Sequence, residues 1–163
     1  MDKKNIFGLT LEELTQSLNG FPKFRAKQIY HWLYVRYENN FDKMENLPKN
    51  LREFLKQDFT GDLVSIAKKE QSSDGSVKYL FRTADNLTYE AVFLKMKEDK
   101  FTLCLSSQIG CKVGCSFCLT AKGGFVRNLS AGEMVYQVFA IKKDQNIPSN
   151  KAVNIVYMGM GDP

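Results

Sequence analysis

The apolar positions of the first sixty residues recur every three to four residues, which is the spacing of an amphipathic helix. A capping box formed by Thr10 and Glu13 opens the first stripe, and a second stripe covers residues 24–38. A third stripe begins near Pro48, a residue type favoured at the first helical position. The pattern predicts three short helices that pack as a small bundle over residues 1–60.

After residue 60 the period changes from that of a helix to that of a strand. Apolar and polar side chains alternate, and clusters of Ser, Asp, Asn and Gly interrupt the alternation. We therefore predict an antiparallel β segment over residues 61–100, with one more extended stretch after it. The predicted strands cover residues 62–71, 77–82, 87–96 and 101–106, and the predicted turns cover 72–75, 84–86 and 97–100.

The last third of the chain predicts the start of a parallel α/β unit. Residues 107–128 are rich in Gly and Cys without a clean period, and they are predicted to form a long functional loop. Ser130 and Glu133 form a second capping box and open a helix. Residues 152–158 then predict a strand of the buried type. Because one such unit cannot cover its own sheet, the chain is expected to be the N-terminal piece of a longer protein, with an aggregation-prone edge at this strand.

Composition supports a folded chain, since 44% of the residues are hydrophobic and 25% are charged. No apolar run approaches the roughly 18–20 residues that span a bilayer, and the N-terminus lacks the apolar core of a signal peptide. A cytoplasmic protein without a membrane partner is therefore expected. The net charge of +5 gives weak support to a nucleic-acid partner, although many soluble enzymes are as basic.

The most informative stretch is a Cys-x3-Cys-x2-Cys motif formed by Cys111, Cys115 and Cys118. Three thiolates in eight residues can bind three corners of an iron–sulfur cube and leave the fourth iron open to a substrate. Zinc is the rival interpretation, but structural zinc takes four ligands. The remaining candidates are Cys104 and the distant His31, and both metals stay open at this point, as do plain structural thiols.

These residues lead to a known family. The cysteine motif, with an aromatic residue before its last Cys, resembles that of the radical S-adenosylmethionine (SAM) enzymes. Further stretches resemble the RlmN/Cfr-type adenine C2 RNA methyltransferases, and the resemblance covers essentially the whole chain. The stretches are residues 24–28 (FRAKQ), 72–75 (SSDG), 104–111 (CLSSQIGC), 124–129 (GFVRNL) and 158–163 (MGMGDP).

The resemblance implies an activity and its partners. Members of the family methylate C2 of an adenine in 23S rRNA and, in one branch, in tRNA. One SAM methylates a cysteine, and a second SAM is cleaved to a radical by a [4Fe–4S] cluster that an external electron donor reduces. The carbon radical formed on the methylated cysteine adds to the adenine. The implied fold is an α+β N-terminal region followed by the start, at residues 101–163, of a partial TIM-type radical SAM barrel.

The resemblance also implies roles for individual residues. Cys111, Cys115 and Cys118 are the implied ligands of the [4Fe–4S] cluster. Gly161 and Asp162 are the implied SAM contacts. Cys104 is implied to be the resolving cysteine of a transient disulfide, against the alternative of a buried strand residue. Glu90 is implied to be the proton acceptor, against the alternative of a charge that protects an edge strand.

Two departures from the family pattern bear on activity. The family usually has Glu at the position of Asp162, so the carboxylate here is one methylene shorter. The cysteine that carries the methyl group is not among the four in this chain, and a full barrel takes roughly 200 or more residues. The isolated chain is therefore expected to be inactive. The alternatives are a small zinc-stabilised RNA-binding module without catalysis and a degenerate gene product.

Several aromatic and basic side chains have two interpretations. Tyr30, Trp32 and Tyr34 lie at core spacing on a helix, so packing is favoured over stacking on RNA bases. Lys122 and Arg127 lie close to the cysteine motif and are candidates for phosphate contacts. The basic side chains that suit a solvated helix face as well as they suit phosphate contacts are Arg25, Lys27 and Arg36.

Overall fold

A computed structural model of the chain describes residues 3–96 and 100–163. The predicted helical region is confirmed. Its elements are α1 (Leu11–Ser17), α2 (Phe24–Tyr34), a 3-10 turn (Phe41–Lys43) and α3 (Lys49–Asp58). The capping box of α1 is complete, because the Thr10 side chain accepts from the Glu13 backbone and the Glu13 carboxylate accepts from the Thr10 backbone. Pro48 caps α3 from just outside the helix and is not its first residue.

Helix α2 is shorter than predicted and ends at Tyr34, not at residue 38. The chain turns immediately afterwards, with Tyr37 in the left-handed region at φ 50°. The backbone amide of Glu38 then donates back to the carbonyl of Trp32 at 2.9 Å. The apolar stripe continued past the end of the helix because Tyr37 still packs against the core, there with Phe139.

One small sheet was not predicted. Strand β1 (Lys4–Asn5) pairs in parallel with β2 (Phe59–Thr60), which ties the start of the chain to the end of α3. Two residues are too few to show a period, so the sequence carries no signal for either strand.

The central feature is a five-stranded sheet in the order β3-β4-β5-β6-β9. The three junctions between β3 and β6 are antiparallel, and β6 pairs in parallel with β9 across helix α5. The meander and the strand-helix-strand unit are therefore both confirmed. The elements are β3 (Val64–Gln71), β4 (Val77–Thr83), β5 (Thr88–Lys95), β6 (Phe101–Cys104), α5 (Ala131–Asp144) and β9 (Asn154–Val156).

One continuous sheet thus crosses the boundary placed at residue 100 in the sequence. The polar turn predicted at 97–100 falls mainly on residues 97–99, which lie outside the described residues. Strand β9 differs from its prediction. It has three residues in place of seven, and Ile155 is 46% exposed, so a buried-type strand over 152–158 was wrong. The apolar composition that suggested burial instead lies along an edge of the sheet.

The stretch 107–128 is also more ordered than the loop predicted from its composition. It contains a hairpin of β7 (Gln108–Gly110) and β8 (Phe125–Asn128), with the short helix α4 (Leu119–Lys122) between them. The two strands have only three and four residues, which are too few to show an alternation.

The core lies on one face of the five-stranded sheet. Tyr79, Phe81 and Tyr89 stack across β4 and β5 and are fully buried. Helix α5 covers this face, and Phe7 joins the helical region to it by packing on Phe139 at a centroid distance of 4.8 Å. Among the described residues, every helix is too short or too polar to span a lipid bilayer. The opposite face of the sheet is the one that carries the candidate site.

Candidate functional site

The site is organised around Ser106, which follows β6 and is fully buried. Its hydroxyl donates to the backbone carbonyl of Glu90 at 2.5 Å and accepts from the backbone amide of Met160 at 2.8 Å. The side-chain amide of Gln137 on α5 fixes the Ser106 backbone, because it accepts from the amide at 3.0 Å and donates to the carbonyl at 2.9 Å. One buried serine therefore joins the Glu90 strand to the glycine-rich segment at residues 159–162.

Glu90 and Cys104 lie on the same face of the sheet. Cys104 pairs in register with Val92, and side chains two residues apart on a strand share a face. The neighbouring residues Tyr89 and Ala91 are buried on the opposite face, which α5 covers. Because β5 lies between β4 and β6, the interpretation of Glu90 as a charge on an edge strand was wrong.

The Glu90 carboxylate is accessible and has a cationic partner. Its side chain is 46% exposed, and its Oε1 lies 3.3 Å from Nζ of Lys78. Lys78 also lies 3.5 Å from Glu70, and these two carboxylates raise the pKa of the lysine, with Glu90 as the larger cause. Cys104 is half-buried and is a free thiol. A carboxylate and a thiol that share an open face can both reach one substrate.

The cysteine motif occupies the connection between β7 and β8. Gly110 adopts φ +78°, and a Cβ there would lie 1.8 Å from the carbonyl oxygen of Gly124, so only glycine fits. The amide of Cys111 donates to that same carbonyl at 3.1 Å. The loop thus leaves the hairpin at a point where the two strands are in direct contact.

All three thiols of the motif are free and half-buried. Cys118 occupies the N-cap position of α4 without a capping hydrogen bond from its side chain, and the nearby backbone N–H of Ala121, followed by that of Thr120, lowers the pKa of its thiol. The thiolate is the form that binds metals, so this local geometry favours a ligand. The lowered pKa comes from helix-terminal N–H groups that the sequence pattern did not reveal.

The donor set fits an iron–sulfur cluster. In the described part of the chain, no three His, Cys, Asp or Glu side chains form a group that could hold a metal ion. Zinc draws its ligands onto one ion at about 2.3 Å, whereas in a cluster each thiolate binds a different iron, so the thiols surround a volume. Thiolates are soft donors, the ligand type that iron–sulfur clusters take. His31 lies on α2 in the helical region.

The segment that contains Gly161 and Asp162 lies beside β7. The amides of Ser107 and Gln108 both donate to the carbonyl of Met160, at 2.9 and 3.1 Å. Gly161 has φ +97°, and a Cβ there would approach the Gln108 side chain to 2.6 Å. Asp162 is exposed. The structure therefore places this segment next to the strand that leads into the cysteine motif.

Arg127 is not available for phosphate, so this prediction was wrong. Its guanidinium binds both oxygens of Asp85 at 3.1 Å and both oxygens of Glu133 at 2.8 and 2.9 Å. These contacts lower the pKa of Asp85 to about 2, chiefly through the Arg127 hydrogen bonds. Sequence inspection identified Glu133 only as a capping residue, and Asp85 only as part of a turn. Lys122 is exposed.

The helical aromatic residues pack as predicted. Trp32 donates from Nε1 to Asn46 at 2.6 Å, and Tyr30 donates from its hydroxyl to the carbonyl of Leu9. Tyr34 meets Phe7 edge-on at 5.9 Å between ring centroids. These side chains serve the core of the helical region.

Sequence and structure comparisons agree with this description. Residues 4–60 match the family described as ribosomal RNA large subunit methyltransferase N-terminal domain. A crystal structure of a radical SAM methyltransferase from Sphaerobacter thermophilus superimposes with a TM-score of 0.90 at 41% identity, over 98% of this chain and 48% of that one.

The fold of the chain is thus that of part of the radical SAM methyltransferase from Sphaerobacter thermophilus. Curated relatives named dual-specificity RNA methyltransferase RlmN are 58% identical in Wolinella succinogenes and 56% identical in Aliarcobacter butzleri. Each match covers 98% of this chain and 47% of the relative. The chain is similar to these RlmN-type relatives over nearly its whole length, and it spans about half the length of the curated relatives that it matches.

Proposed function

We propose that this chain supplies the cluster-binding and proton-accepting part of an RNA methyltransferase that acts on C2 of adenine. The proposed substrates are 23S rRNA and tRNA, the proposed cofactors are a [4Fe–4S] cluster and SAM, and an external donor provides the electron. A cytoplasmic location follows from these partners. The observation that carries the proposal is the buried Ser106, which holds the Glu90 strand and the Met160 segment beside the cysteine motif.

The thiolates of Cys111, Cys115 and Cys118 would hold the cluster. When bound, the cluster supplies an open iron for SAM and the electron that cleaves it. Gly161 and Asp162 would contact SAM, with the glycine leaving room for a close backbone approach and the carboxylate available to accept a hydrogen bond. The other steps fall to side chains on the open face of the sheet.

Glu90 is proposed to accept the proton that leaves C2 of the adenine. Its carboxylate is exposed enough to meet a base, and Lys78 at 3.3 Å fixes one of its oxygens. Cys104, on the same face, is proposed to release the product through a transient disulfide with another cysteine of the whole enzyme. Both roles require that the adenine lies over the face of β5 and β6 that α5 leaves open.

Anaerobic reconstitution of the purified chain with iron and sulfide tests the metal assignment. We expect about four irons per chain and an electron paramagnetic resonance signal of the reduced protein that changes when SAM is added. A variant with Cys111, Cys115 and Cys118 all changed to Ala should bind no cluster, whereas Cys104→Ala should retain it. Bound zinc without a cluster would instead support the zinc-stabilised RNA-binding module.

A further inference from the structure

The loop that carries Cys111, Cys115 and Cys118 is held by hydrogen bonds that run within it or to its own hairpin. Cys111 bonds to Gly124, Cys118 bonds to Cys115, and the amide of Lys112 donates to the Gln108 side chain at 3.3 Å. The placement of the thiols relative to the sheet is therefore decided by how the β7–β8 hairpin is attached to the rest of the molecule.

Arg127 is the side chain that attaches β8 to two other elements. It lies opposite Ile109 in the hairpin register, two residues from Cys111 along the facing strand. Its guanidinium reaches Glu133 in the first turn of α5 and Asp85 in the turn between β4 and β5. A fifth hydrogen bond, at 3.0 Å, goes to the carbonyl of Asn128 and fixes the end of the strand.

The geometry of this junction suits a rigid attachment. The Glu133 side chain is only 8% exposed, and it also accepts from the Ser130 backbone at 2.8 Å. Charge-assisted bonds to a planar guanidinium fix orientation as well as distance, and a lysine cannot bridge two carboxylates in this way. Arg127, Asp85 and Glu133 together carry a net charge of −1, which disfavours the binding of an RNA phosphate at this junction.

We propose that Arg127 is a positioning residue for the iron–sulfur site: it locks the cysteine-bearing hairpin onto α5 and the β4–β5 turn, so that the loop with the three thiols keeps a fixed position relative to the sheet. The inference rests on the proposed function, because it presumes that these thiols bind a cluster. In this inference Arg127 acts by positioning the cysteine-bearing hairpin and not by binding RNA.

The test compares cluster retention in variants of the 163-residue chain. Wild type, Arg127→Met and Arg127→Lys are reconstituted with iron and sulfide, and the rate of iron loss to a chelator is measured by absorbance. Asp144→Asn is the matched control. It removes the charge that pairs with Lys69 and one of the two oxygens that accept from Lys69 and Tyr79 at the other end of α5, at 2.6 and 2.7 Å. Thermal unfolding of each apo variant records its general loss of stability.

We expect both Arg127 variants to lose iron about tenfold to a hundredfold faster than wild type, the range typical of residues that orient metal ligands. Asp144→Asn should lose iron at a rate within about twofold of wild type, even if its melting temperature falls by as much as that of the Arg127 variants. Asp85→Asn removes one of the two carboxylates that bind Arg127, so its rate of iron loss should lie between those of wild type and the Arg127 variants. This variant keeps the test decisive if Arg127→Met fails to fold.

The outcomes separate the two proposals. If wild type binds a cluster and the Arg127 variants retain iron as well as Asp144→Asn does, Arg127 is an ordinary structural residue and only this inference is overturned. If wild type takes up no cluster, the proposed function fails, and the inference fails with it.

Discussion

The hydroxyl of Ser106 donates a hydrogen bond of 2.5 Å to the backbone carbonyl of Glu90. The same oxygen accepts from the amide of Met160, so a single side chain spans the strand of the proposed base and the segment of the proposed SAM contacts. Neither partner is close to Ser106 in sequence. The contact explains how a glycine-rich segment 54 residues away is held in place.

Replacing Ser106 by alanine tests this connection. The variant leaves the Glu90 carbonyl and the Met160 amide without their partner, which should lower the free energy of unfolding by about 1–3 kcal/mol. Urea denaturation of the apo chain measures the loss. Ser73→Ala, at an exposed position in the β3–β4 turn, should change stability by no more than about 0.5 kcal/mol. Equal stability of the two variants would show that the Ser106 hydroxyl is dispensable.

Two glycines of the cysteine hairpin should respond differently to alanine. Both have positive φ, +78° at Gly110 and +76° at Gly114, and strain of roughly 1–2 kcal/mol is expected for each. Gly110→Ala also places a methyl group 1.8 Å from the Gly124 carbonyl, whereas Gly114 has open space around its Cα. We expect Gly110→Ala to abolish iron uptake and Gly114→Ala to preserve it, as measured by iron content after reconstitution. Comparable iron in both variants would contradict the hairpin geometry.

Acid should weaken the Arg127 junction in a defined range of pH. The pKa of Asp85 falls from 3.8 to about 2 in the folded chain, mainly because of its hydrogen bonds with Arg127. A lowered pKa stabilises the fold above the unfolded value, so this contribution is complete above about pH 4 and is lost as the pH falls toward 2. The Asp85 side chain is 51% exposed, which limits the effect to about 1 kcal/mol or less.

Urea unfolding at several pH values measures this contribution. Asp85→Asn should flatten the acid limb of the stability curve. In an Arg127→Met background the same substitution should have a smaller effect on the acid limb, because only the hydrogen bonds of Asp85 with Thr83 and the backbone remain. The four proteins together form a double-mutant cycle. An unchanged acid limb in the single variant would place the titrating group elsewhere.

The exposed apolar edge at β9 should make the isolated chain self-associate. Ile155 and Met158 are 46% and 79% exposed, beside a strand with an open edge. Burial of one Ile side chain contributes roughly 1.5–3 kcal/mol, so Ile155→Lys should weaken association about tenfold or more. Val35→Lys, on the exposed surface of the helical region, is the control of equal charge. Sedimentation velocity over a range of concentrations measures the self-association of each variant. A wild-type chain that stays monomeric at every concentration refutes the prediction.

Much of the fold was predictable because local sequence patterns determine it. The capping boxes at Thr10 and Ser130 fixed the starts of α1 and α5, and alternation located β4 and β5. The end of α2 and the length of β9 were not predictable, since both depend on where the chain meets other elements. The strands of the cysteine hairpin were missed because strands of three and four residues are too short to show a period.

The site shows the same division. The Cys-x3-Cys-x2-Cys spacing identified the thiols of Cys111, Cys115 and Cys118, because ligands on one loop are close in sequence. The attachment of their loop depends on Arg127 and Asp85, which are 42 positions apart. The link between Ser106 and Glu90 joins residues 16 positions apart. Sequence alone thus determined the helices, the meander and the thiol donors, because each of these depends on residues that are close together in the chain. Only the tertiary structure decided which charges pair and which face stays open, because both depend on strand register and on the packing of α5.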